Sequence, residues 1–372
     1  MRQGFLVYTD HDAKKKEIIN FASDTKNKYE MTEISTLGEF GLIKHLTGGL
    51  KPINDSTVKG VGDDAAILNY SGHGNRVLVT TDMLLEGIHF DLTYVPLKHL
   101  GYKAAIVNFS DIYAMNGRPK QITVSIGLSK RFSVEDCDAL YAGIRLACER
   151  YGVDLAGGDT CPSMTGLTIC ITCIGEAAKD KITTRSGAGI NDVICVSGNL
   201  GAAYMGLQLL EREKNIFNQT KGDMQPDFAG KEYILQRQLK PEARKDIIEK
   251  LENAGIVPTS MMDISDGLSS ELLHICEESG CGCRIYEDKI PIDYETASMA
   301  EEFNMNLVTA ALNGGEDYEL LFTVPLSRMS EVEKMEDVKT IGYITDKENG
   351  CLLVTRDGAE ITLKAQGWNP LA

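Results

Sequence analysis

The sequence contains no uninterrupted run of about 18 apolar residues, which is the length that a membrane-spanning helix requires. Its N-terminus, MRQGFLVYTDHDAKKKEIIN, lacks the continuous apolar stretch of a secretory signal peptide. Basic residues are outnumbered, because 38 Lys and Arg face 54 Asp and Glu, for a formal net charge of -16. These absences predict a cytoplasmic protein that binds neither nucleic acid nor an anionic membrane, since both partners require basic patches.

The ten cysteines show no spacing typical of a zinc finger. In the cytoplasm we expect them to be reduced and mostly buried. Cys170 and Cys173 lie in a predicted strand, where an odd separation places them on opposite faces. Cys281 and Cys283 can share one face, but no second Cys or His pair with finger spacing follows them. The sequence therefore does not predict structural zinc.

Length and composition are those of an ordinary globular chain, with 372 residues, 43% hydrophobic and 25% charged. This length fits two domains better than one, and strands and helices alternate along it, which predicts an α/β or α+β fold. We expect a polar, mobile extension over residues 1–30, one domain over 31–175 and a second over 176–372. The polar stretch 215–232 has no periodicity and predicts a long loop.

The hydrophobic pattern also predicts individual elements. Strands are expected at 76–82, 121–128, 166–177 and 192–201, the last ending in a Gly-rich turn. Helices are expected at 97–115, after the Ser133 cap, after Gly201, and between the DISDG turn and Gly280.

Aspartates recur in short turns that we place at the ends of strands. They are Asp63, Asp64, Asp82, Asp111, Asp159, Asp263 and Asp266. Any one of them is more often a turn former or a helix cap. If several converge, however, each pair repels by about 1 to 4 kcal/mol, so the cluster must be protonated or hold cations. Carboxylates with the hydroxyls of Thr80 and Thr81 select Mg2+, Mn2+ or Ca2+, which indicates a Mg2+-nucleotide site.

A nucleotide would not be held by a Walker A loop, because GxxxxGK[ST] is absent. The SGNLG turn at 197–201 resembles a phosphate nest, although a plain tight turn is the favoured interpretation. Gly157–Gly158–Asp159 is the better candidate, because its backbone amides lie beside a carboxylate. Arg185 is either a phosphate clamp or a surface arginine.

Three further residues have both a functional and a structural interpretation. His89 either contacts a phosphate or fills a strand end, and the structural interpretation is favoured. Glu316 either pairs with a cationic ligand or caps a strand. Trp368, the single tryptophan, either pins the C-terminal tail or stacks on a planar ring.

Seven motifs in order resemble those of the thiamine-monophosphate kinase family. They are GVGDD, TTDMLLEGIHF, NFSDIYAMNGRP, GGDT, TRSGA, DISDGLSSEL and GGEDYEL, and the resemblance runs from about residue 33 to the C-terminus. It implies the two-domain α/β fold of the aminoimidazole ribonucleotide synthetase superfamily. It further implies an N-terminal sheet domain that forms a β-barrel in a homodimer, a C-terminal α/β domain, and ATP held between the domains.

The same resemblance assigns roles to individual residues. It implies that several Mg2+ ions are bound by Asp64, Thr80, Thr81, Asp82, Asp111, Asp159, Asp263 and Asp266. Of these, Asp82, Asp111 and Asp263 are the candidate catalytic residues. ATP contacts are implied for Tyr151, Gly158, Asp159, Arg185 and Ser265, and contacts to thiamine monophosphate for His89, Glu316 and Trp368.

The implied reaction is ATP-dependent phosphorylation of thiamine monophosphate to thiamine diphosphate. Two alternatives stay open: another ATP-using member of the superfamily, such as aminoimidazole ribonucleotide synthetase, or a non-catalytic thiamine-phosphate binder. The selenophosphate branch needs a reactive Cys or selenocysteine near the N-terminus, and the hydrogenase-maturation branch ends in a functional Cys; neither is apparent. A non-catalytic thiamine-phosphate binder should have lost metal-binding carboxylates, yet every motif aspartate is present.

Overall fold

The structure is a computed structural model that describes residues 36–47, 53–70, 74–220, 226 and 228–365. The chain divides into two units, one of Met1–Gly49 with Asn369–Ala372 and one of Leu50–Trp368. In the first unit the described element is helix α1 (Gly38–Thr47), whose last turn carries Lys44 and His45. Basic side chains there complement the negative end of the helix dipole. The expected extension over 1–30 lies outside the described residues.

The N-terminal half of the second unit is built on a six-stranded sheet of order β1-β2-β3-β6-β4-β5. Its strands are β1 (Thr57–Lys59), β2 (Ala66–Leu68), β3 (Asn75–Leu85), β4 (Arg118–Leu128), β5 (Asp154–Pro162) and β6 (Thr168–Ala178). Neighbouring strands are antiparallel except β4 and β5, which are parallel. Strand β6 alternates buried and partly buried residues along its whole length, so one face of the sheet packs on a core.

That core is covered by two long helices, α2 (Leu97–Ala114) and α3 (Val134–Tyr151). Helix α2 is buried almost all round, because it lies between the sheet, α3 and the C-terminal half. Helix α3 begins at a capping box: Ser133 accepts a hydrogen bond from the backbone of Asp136, whose carboxylate accepts one in return.

The C-terminal half is built on a seven-stranded sheet of order β13-β12-β9-β11-β7-β10-β8. Its strands are β7 (Val193–Ser197), β8 (Ser260–Asp263), β9 (Gly282–Tyr286), β10 (Leu320–Val324), β11 (Val338–Thr345), β12 (Cys351–Val354) and β13 (Glu360–Thr362). All pairs are antiparallel except β9 with β12. The helices of this half are α4 (Ala202–Gln219), α5 (Glu232–Leu239), α6 (Lys245–Asn253), α7 (Leu268–Ser279), α8 (Tyr294–Glu302), α9 (Leu307–Asn313) and α10 (Met329–Val332).

The two-domain α/β fold class is confirmed, and most of the predicted elements are found. Two local predictions were wrong. Strand β5, which carries GGDT, was missed because its glycines weaken any strand pattern. Residues 215–219 of the predicted loop continue helix α4, because each residue added to an existing helix gains an intrahelical hydrogen bond without a new nucleation cost. In the part of the chain that the structure describes, no helix has the length and apolar character to cross a membrane.

Candidate active site

Three carboxylates from distant parts of the chain meet in the second unit. One oxygen each of Asp64, Asp111 and Asp263 lie within 4.8 Å of one another. Asp64 precedes strand β2, Asp111 lies in the last turn of helix α2, and Asp263 ends strand β8. Asp64 and Asp263 are only 8% and 3% exposed, so the cluster sits away from bulk water.

A fourth carboxylate joins them from strand β3. Side chains alternate along a strand, and Thr80 and Asp82 share the face of β3 that packs towards helix α2. The Thr80 hydroxyl donates a 2.5 Å hydrogen bond to Oδ2 of Asp111. Asp82 interacts with both Asp111 and Asp64.

The predicted position of two of these aspartates at strand ends was wrong. Asp111 lies in the helix that was itself predicted at 97–115, and Asp82 lies inside an eleven-residue strand. They meet because helix α2 packs directly on β3 and contacts β8. Convergence therefore comes from helix-on-sheet packing as well as from turns at strand ends.

The electrostatics of the cluster follow from burial and from the mutual repulsion of its carboxylates. Burial raises the pKa of Asp82 to about 6 and that of Asp263 to about 7, with the charge of Asp64 adding to both shifts. The pKa of Asp111 is raised well above its ordinary value, first by burial and then by the charges of Asp82 and Asp263. Burial likewise raises the pKa of Asp64, although Arg185 opposes the shift.

The donor set fits a hard divalent cation. Among the described residues, Oδ2 of Asp64 and Oδ2 of Asp82 are buried without a hydrogen-bond partner. Buried carboxylate oxygens need a proton, a donor or a metal, because their desolvation is otherwise uncompensated. Together with the Thr80 hydroxyl, they form an oxygen-only set of the kind that Mg2+ prefers.

Arg185 supplies the positive charge nearest to the cluster. Its guanidinium lies 2.5 Å (Nη2) and 3.2 Å (Nε) from Oδ1 of Asp64. Its backbone N–H donates to Asp63, which also pairs with Lys59. The structure thus brings the predicted phosphate clamp to the edge of the carboxylates. Its side chain is mostly buried, so the alternative of a surface arginine is wrong.

Two residues that sequence reasoning missed organise this site. Ser110 donates a 2.5 Å hydrogen bond to Asp263 and joins helix α2 to strand β8. Glu271 is 1% exposed and accepts hydrogen bonds from the backbone N–H groups of Ser265 and Asp266. Both residues lie in quoted motifs, Ser110 in NFSD and Glu271 in DISDGLSSEL, and that membership was the available signal.

The turn that carries Ser265 and Asp266 also contacts the predicted substrate residue Glu316. The Glu316 backbone N–H donates to the Ser265 carbonyl at 2.7 Å. The Glu316 side chain pairs with Lys103 of helix α2 at 2.7 Å and accepts a hydrogen bond from Gln238. Glu316 has a φ of +68°, a left-handed conformation that costs about 1 to 3 kcal/mol for a residue with a side chain. Strain of this kind is typical of functional loops.

His89 lies on the exposed segment that follows strand β3. Its Nδ1 accepts a 3.0 Å hydrogen bond from the backbone N–H of Leu85, which places the proton of a neutral ring on Nε2. This contact orients the imidazole. The contact is to the last residue of β3, as the structural interpretation expects, and the contact of His89 with a phosphate stays a prediction.

Four predicted site residues are not brought to the carboxylates. Thr81 points to the opposite face of β3 and bonds to Thr172 and the Ile171 carbonyl of β6. Asp159 is exposed and lies opposite Ser125 in the register of β5 with β4, on the same face of the sheet as Thr81. Three strand spacings also separate β5 from β3.

Gly158 and Tyr151 have structural roles in this arrangement. A Cβ on Gly158 would lie 1.9 Å from the Val124 carbonyl oxygen, so glycine permits β5 to pair with β4. Tyr151 is 8% exposed and donates hydrogen bonds to Glu242 and the Ala243 carbonyl. Their assignments as ATP contacts stay predictions, and Trp368 lies outside the described residues.

The SGNLG turn is a tight turn whose amides are already bonded. The backbone N–H groups of Gly201 and Ala203 donate to the carboxylate of Asp317 at 2.6 and 3.3 Å. A side-chain carboxylate therefore occupies the place that a phosphate would take. The favoured interpretation of this segment is confirmed.

Comparison with known proteins places these motifs in a family context. Residues 62–177 match the family model of the AIR synthase related protein N-terminal domain, and residues 191–354 match that of the C-terminal domain. A thiamine-monophosphate kinase of Aquifex aeolicus (strain VF5) is 34% identical over 335 residues, covering 90% of this chain and 98% of the relative. One of Bacillus subtilis (strain 168) is 33% identical over 340 residues, covering 90% and 99%.

Solved structures extend the similarity to three dimensions. AaThiL complexed with AMPPCP and TMP is 32% identical, with a TM-score of 0.77, and the match covers 92% of this chain and all of that one. The hydrogenase maturation protein HypE in complex with ATP has a TM-score of 0.63 at 19% identity, covering 91% and 99%, which shows a shared fold alone.

The raised pKa values predict an unusual pH dependence of stability in the absence of metal. Native Asp82 and Asp263 hold protons up to about pH 6 and 7, whereas the unfolded chain releases them near pH 4. The native state therefore binds more protons in that window, and the free energy of unfolding falls as pH rises through it. The Asp263→Asn variant should show a shallower fall and gain roughly 1 to 3 kcal/mol near pH 7.

Urea denaturation between pH 5 and 8 in the presence of a chelator measures this slope. The exposed Asp288 provides the matched control, and Asp288→Asn should follow the wild-type curve. Superimposable curves for the wild type and Asp263→Asn would contradict the assignment of a buried, protonated cluster.

Proposed function

The chain belongs to the thiamine-monophosphate kinase family of AIR synthase related proteins, and from this membership we propose that it phosphorylates thiamine monophosphate. ATP is the phosphoryl donor, and the products are thiamine diphosphate and ADP. The observation that carries the proposal is the meeting of Asp64, Asp111 and Asp263, which come from three separate family motifs. The likeness to AaThiL, which was solved with AMPPCP and TMP, supports the choice of substrates.

The charges of the reactants explain why such a site is acidic. The acceptor oxygen of a phosphate monoester is already anionic, so the reaction needs no strong general base. The obstacle is the approach of two polyanions. Carboxylates at this position would oppose it unless they hold cations, and we propose that Asp64, Thr80, Asp82, Asp111 and Asp263 hold Mg2+. Bound Mg2+ would supply charge neutralisation to the phosphates.

The protein's own groups position the reactants. Hydrogen bonds from Thr80 and Ser110 fix the orientation of Asp111 and Asp263. Arg185 keeps its charge next to Asp64 and retains N–H donors that suit phosphate oxygens. Burial of the cluster excludes bulk water, which strengthens each of these interactions.

Further contacts are proposed from the family motifs. Ser265 and Asp266, on the turn that follows Asp263, are proposed to approach the nucleotide and its metal. Glu316 adjoins this turn and would favour the cationic part of thiamine, and His89 would contact its phosphate. Thr81, Tyr151, Gly158, Asp159 and Trp368 are proposed on the resemblance to the family alone. A cytoplasmic location is proposed on the same basis.

We also propose that the protein is a homodimer that pairs through the six-stranded sheet. The face of this sheet opposite helix α2 is not covered within the described chain. Met83 is 53% exposed on it and Leu85 37%. At the sheet edge, β5 is exposed along its length and, within the described residues, pairs with β4 alone. A second copy would cover this face and would bring its own Thr81 and Asp159 to the interface.

A product assay tests the reaction. The purified chain is incubated with ATP, Mg2+ and, in separate samples, thiamine, thiamine monophosphate or formylglycinamidine ribonucleotide, the purine precursor. We expect ADP together with thiamine diphosphate in the thiamine monophosphate sample only, as resolved by chromatography. Product from the purine precursor, or binding of thiamine monophosphate without turnover, would refute the proposed reaction.

Asp111→Asn tests the role of the carboxylates. The substitution keeps the shape but removes a charge that several neighbours repel, so kcat should fall by about a hundredfold or more while the fold is retained or stabilised. Steady-state kinetics across a Mg2+ titration measure kcat, and circular dichroism reports the fold. Asp288→Asn, on the exposed surface, should keep wild-type kcat. Full activity of Asp111→Asn at saturating Mg2+ would exclude a cation-holding role for this residue.

The dimer is tested by the mass in solution. Light scattering after size exclusion should give twice the mass of one chain. Met83→Lys places a charge in the proposed interface and should give one chain mass, because burying an unpaired ammonium is costly. Ile361, which is 52% exposed on β13 of the other sheet, supplies the control Ile361→Lys, which should remain dimeric. A wild-type monomer, or a dimeric Met83→Lys variant, would overturn the proposed interface.

A further inference from the structure

Three cysteine thiols form a cluster in the C-terminal half, on elements separate from the carboxylate oxygens. The sulfur atoms of Cys276, Cys283 and Cys351 lie within 4.8 Å of one another. Cys276 and Cys283 are 3% and 0% exposed, and Cys351 is partly exposed. All three are free thiols. They come from helix α7, strand β9 and strand β12, which are separate in the sequence.

Backbone geometry at the end of helix α7 sets the first part of the cluster. The helix closes at Gly280 in a left-handed conformation, and the Cys281 N–H donates to the Cys276 carbonyl at 3.0 Å. This turn directs the chain back towards Cys276 as strand β9 begins. Cys281 interacts electrostatically with Cys276, Cys283 and Cys351, so a fourth thiol lies beside the three whose sulfur atoms are within 4.8 Å of one another.

Strand pairing brings in the remaining thiol. Cys351 lies opposite Cys283 in the parallel pair of β12 and β9. The Cys283 N–H donates to the Gly350 carbonyl at 3.1 Å. A Cβ on Gly282 would lie 2.4 Å from that same carbonyl oxygen. Glycine between Cys281 and Cys283 therefore permits the backbone of β9 to approach Gly350 closely.

The chemistry of four neighbouring thiols favours a soft cation. Zinc–sulfur bonds of about 2.3 Å in a tetrahedron place the sulfur atoms about 3.8 Å apart, which is within the 4.8 Å limit that the sulfur atoms of Cys276, Cys283 and Cys351 already meet. Thiols are weak hydrogen-bond donors, so they gain little from one another, whereas thiolates bind zinc strongly. The four cysteines offer sulfur ligands only, whereas the carboxylate cluster offers oxygen ligands, so the two clusters suit different metal ions.

We propose that Cys276, Cys281, Cys283 and Cys351 bind one zinc ion as a structural site. Each thiol releases its proton to solvent as its sulfur binds, so no oxidant or reductant is needed. Cys351 and Cys281 lie nearer the surface than the other two and offer the path of entry. The metal would tie the C-terminal end of helix α7 to strands β9 and β12.

A metal at the C-terminal end of helix α7 would also stabilise the N-terminal end of that helix, which adjoins the candidate active site. The N-terminal turn of α7 contains Glu271, which bonds to the backbone of Ser265 and Asp266. A helix of twelve residues is about 18 Å long, so a metal at its far end fixes its axis without touching the substrates. The proposal is independent of the proposed kinase reaction, because it concerns metal content and not turnover.

Metal analysis of the full-length chain tests the proposal. The protein is produced in zinc-supplemented medium, purified under reducing conditions without a polyhistidine tag, and analysed by elemental mass spectrometry. We expect about one zinc ion per chain. Cys351→Ser and Cys283→Ser should each lose most of the zinc. Cys195→Ser, which changes a fully buried cysteine in β7 of the same sheet, should retain it.

Cobalt substitution of the wild type gives a readout that needs no variant. Cobalt held by these thiolates should show sulfur-to-cobalt charge-transfer absorption, which a carboxylate-bound ion lacks. Three results would each overturn the proposal. The first is wild-type protein that binds no zinc on reconstitution, and the second is zinc retained by both Cys351→Ser and Cys283→Ser. The third is an intact mass that shows a disulfide between two of the four cysteines. Circular dichroism of the partly exposed Cys351→Ser variant verifies that loss of metal does not reflect loss of fold.

Discussion

Mutual repulsion between buried carboxylates is the constraint on which the catalytic half of this structure depends. Each close pair costs about 4 kcal/mol at the effective dielectric of a protein. Such a cluster lowers stability unless protons or cations offset the charge. The surrounding structure meets part of that cost through Arg185, Thr80 and Ser110. Two carboxylate oxygens, Oδ2 of Asp64 and Oδ2 of Asp82, have no hydrogen-bond partner within the described residues. These are the oxygens that a metal ion can bind.

Helix α2 transmits this constraint through the molecule. Asp111 enters the cluster, Ser110 binds Asp263, and Lys103 pairs with Glu316 on the loop next to Ser265. Because all three side chains belong to one rigid helix, the proposed metal-binding and substrate-binding ends of the site keep a fixed separation. Fixed geometry of this kind is what phosphoryl transfer between two anions requires, since positioning and charge neutralisation supply most of the catalysis.

The sequence predicts regular elements and motif chemistry better than it predicts spatial assembly. Strand β3 and the Ser133 cap were predictable because they depend on local periodicity and capping. The carboxylate set was predictable from its motifs, but the helical position of Asp111 was not connected with the site, because convergence depends on packing between the two halves. Ser110 acts through a hydrogen bond to Asp263, which is distant in the sequence, so no local spacing reveals it. The cysteine cluster was missed for the same reason: Cys276 and Cys351 lie outside the finger spacing that was sought.

The two clusters illustrate how one chain can keep two kinds of metal apart. The carboxylate cluster offers oxygen atoms at one end of the region that α7 spans, and the cysteines offer sulfur atoms at the other. Hard Mg2+ gains little from thiolates, whereas zinc prefers them to carboxylates. Zinc on the proposed thiolate site would therefore have the ligands that it prefers, and it would fix the helix that supports Ser265 and Asp266.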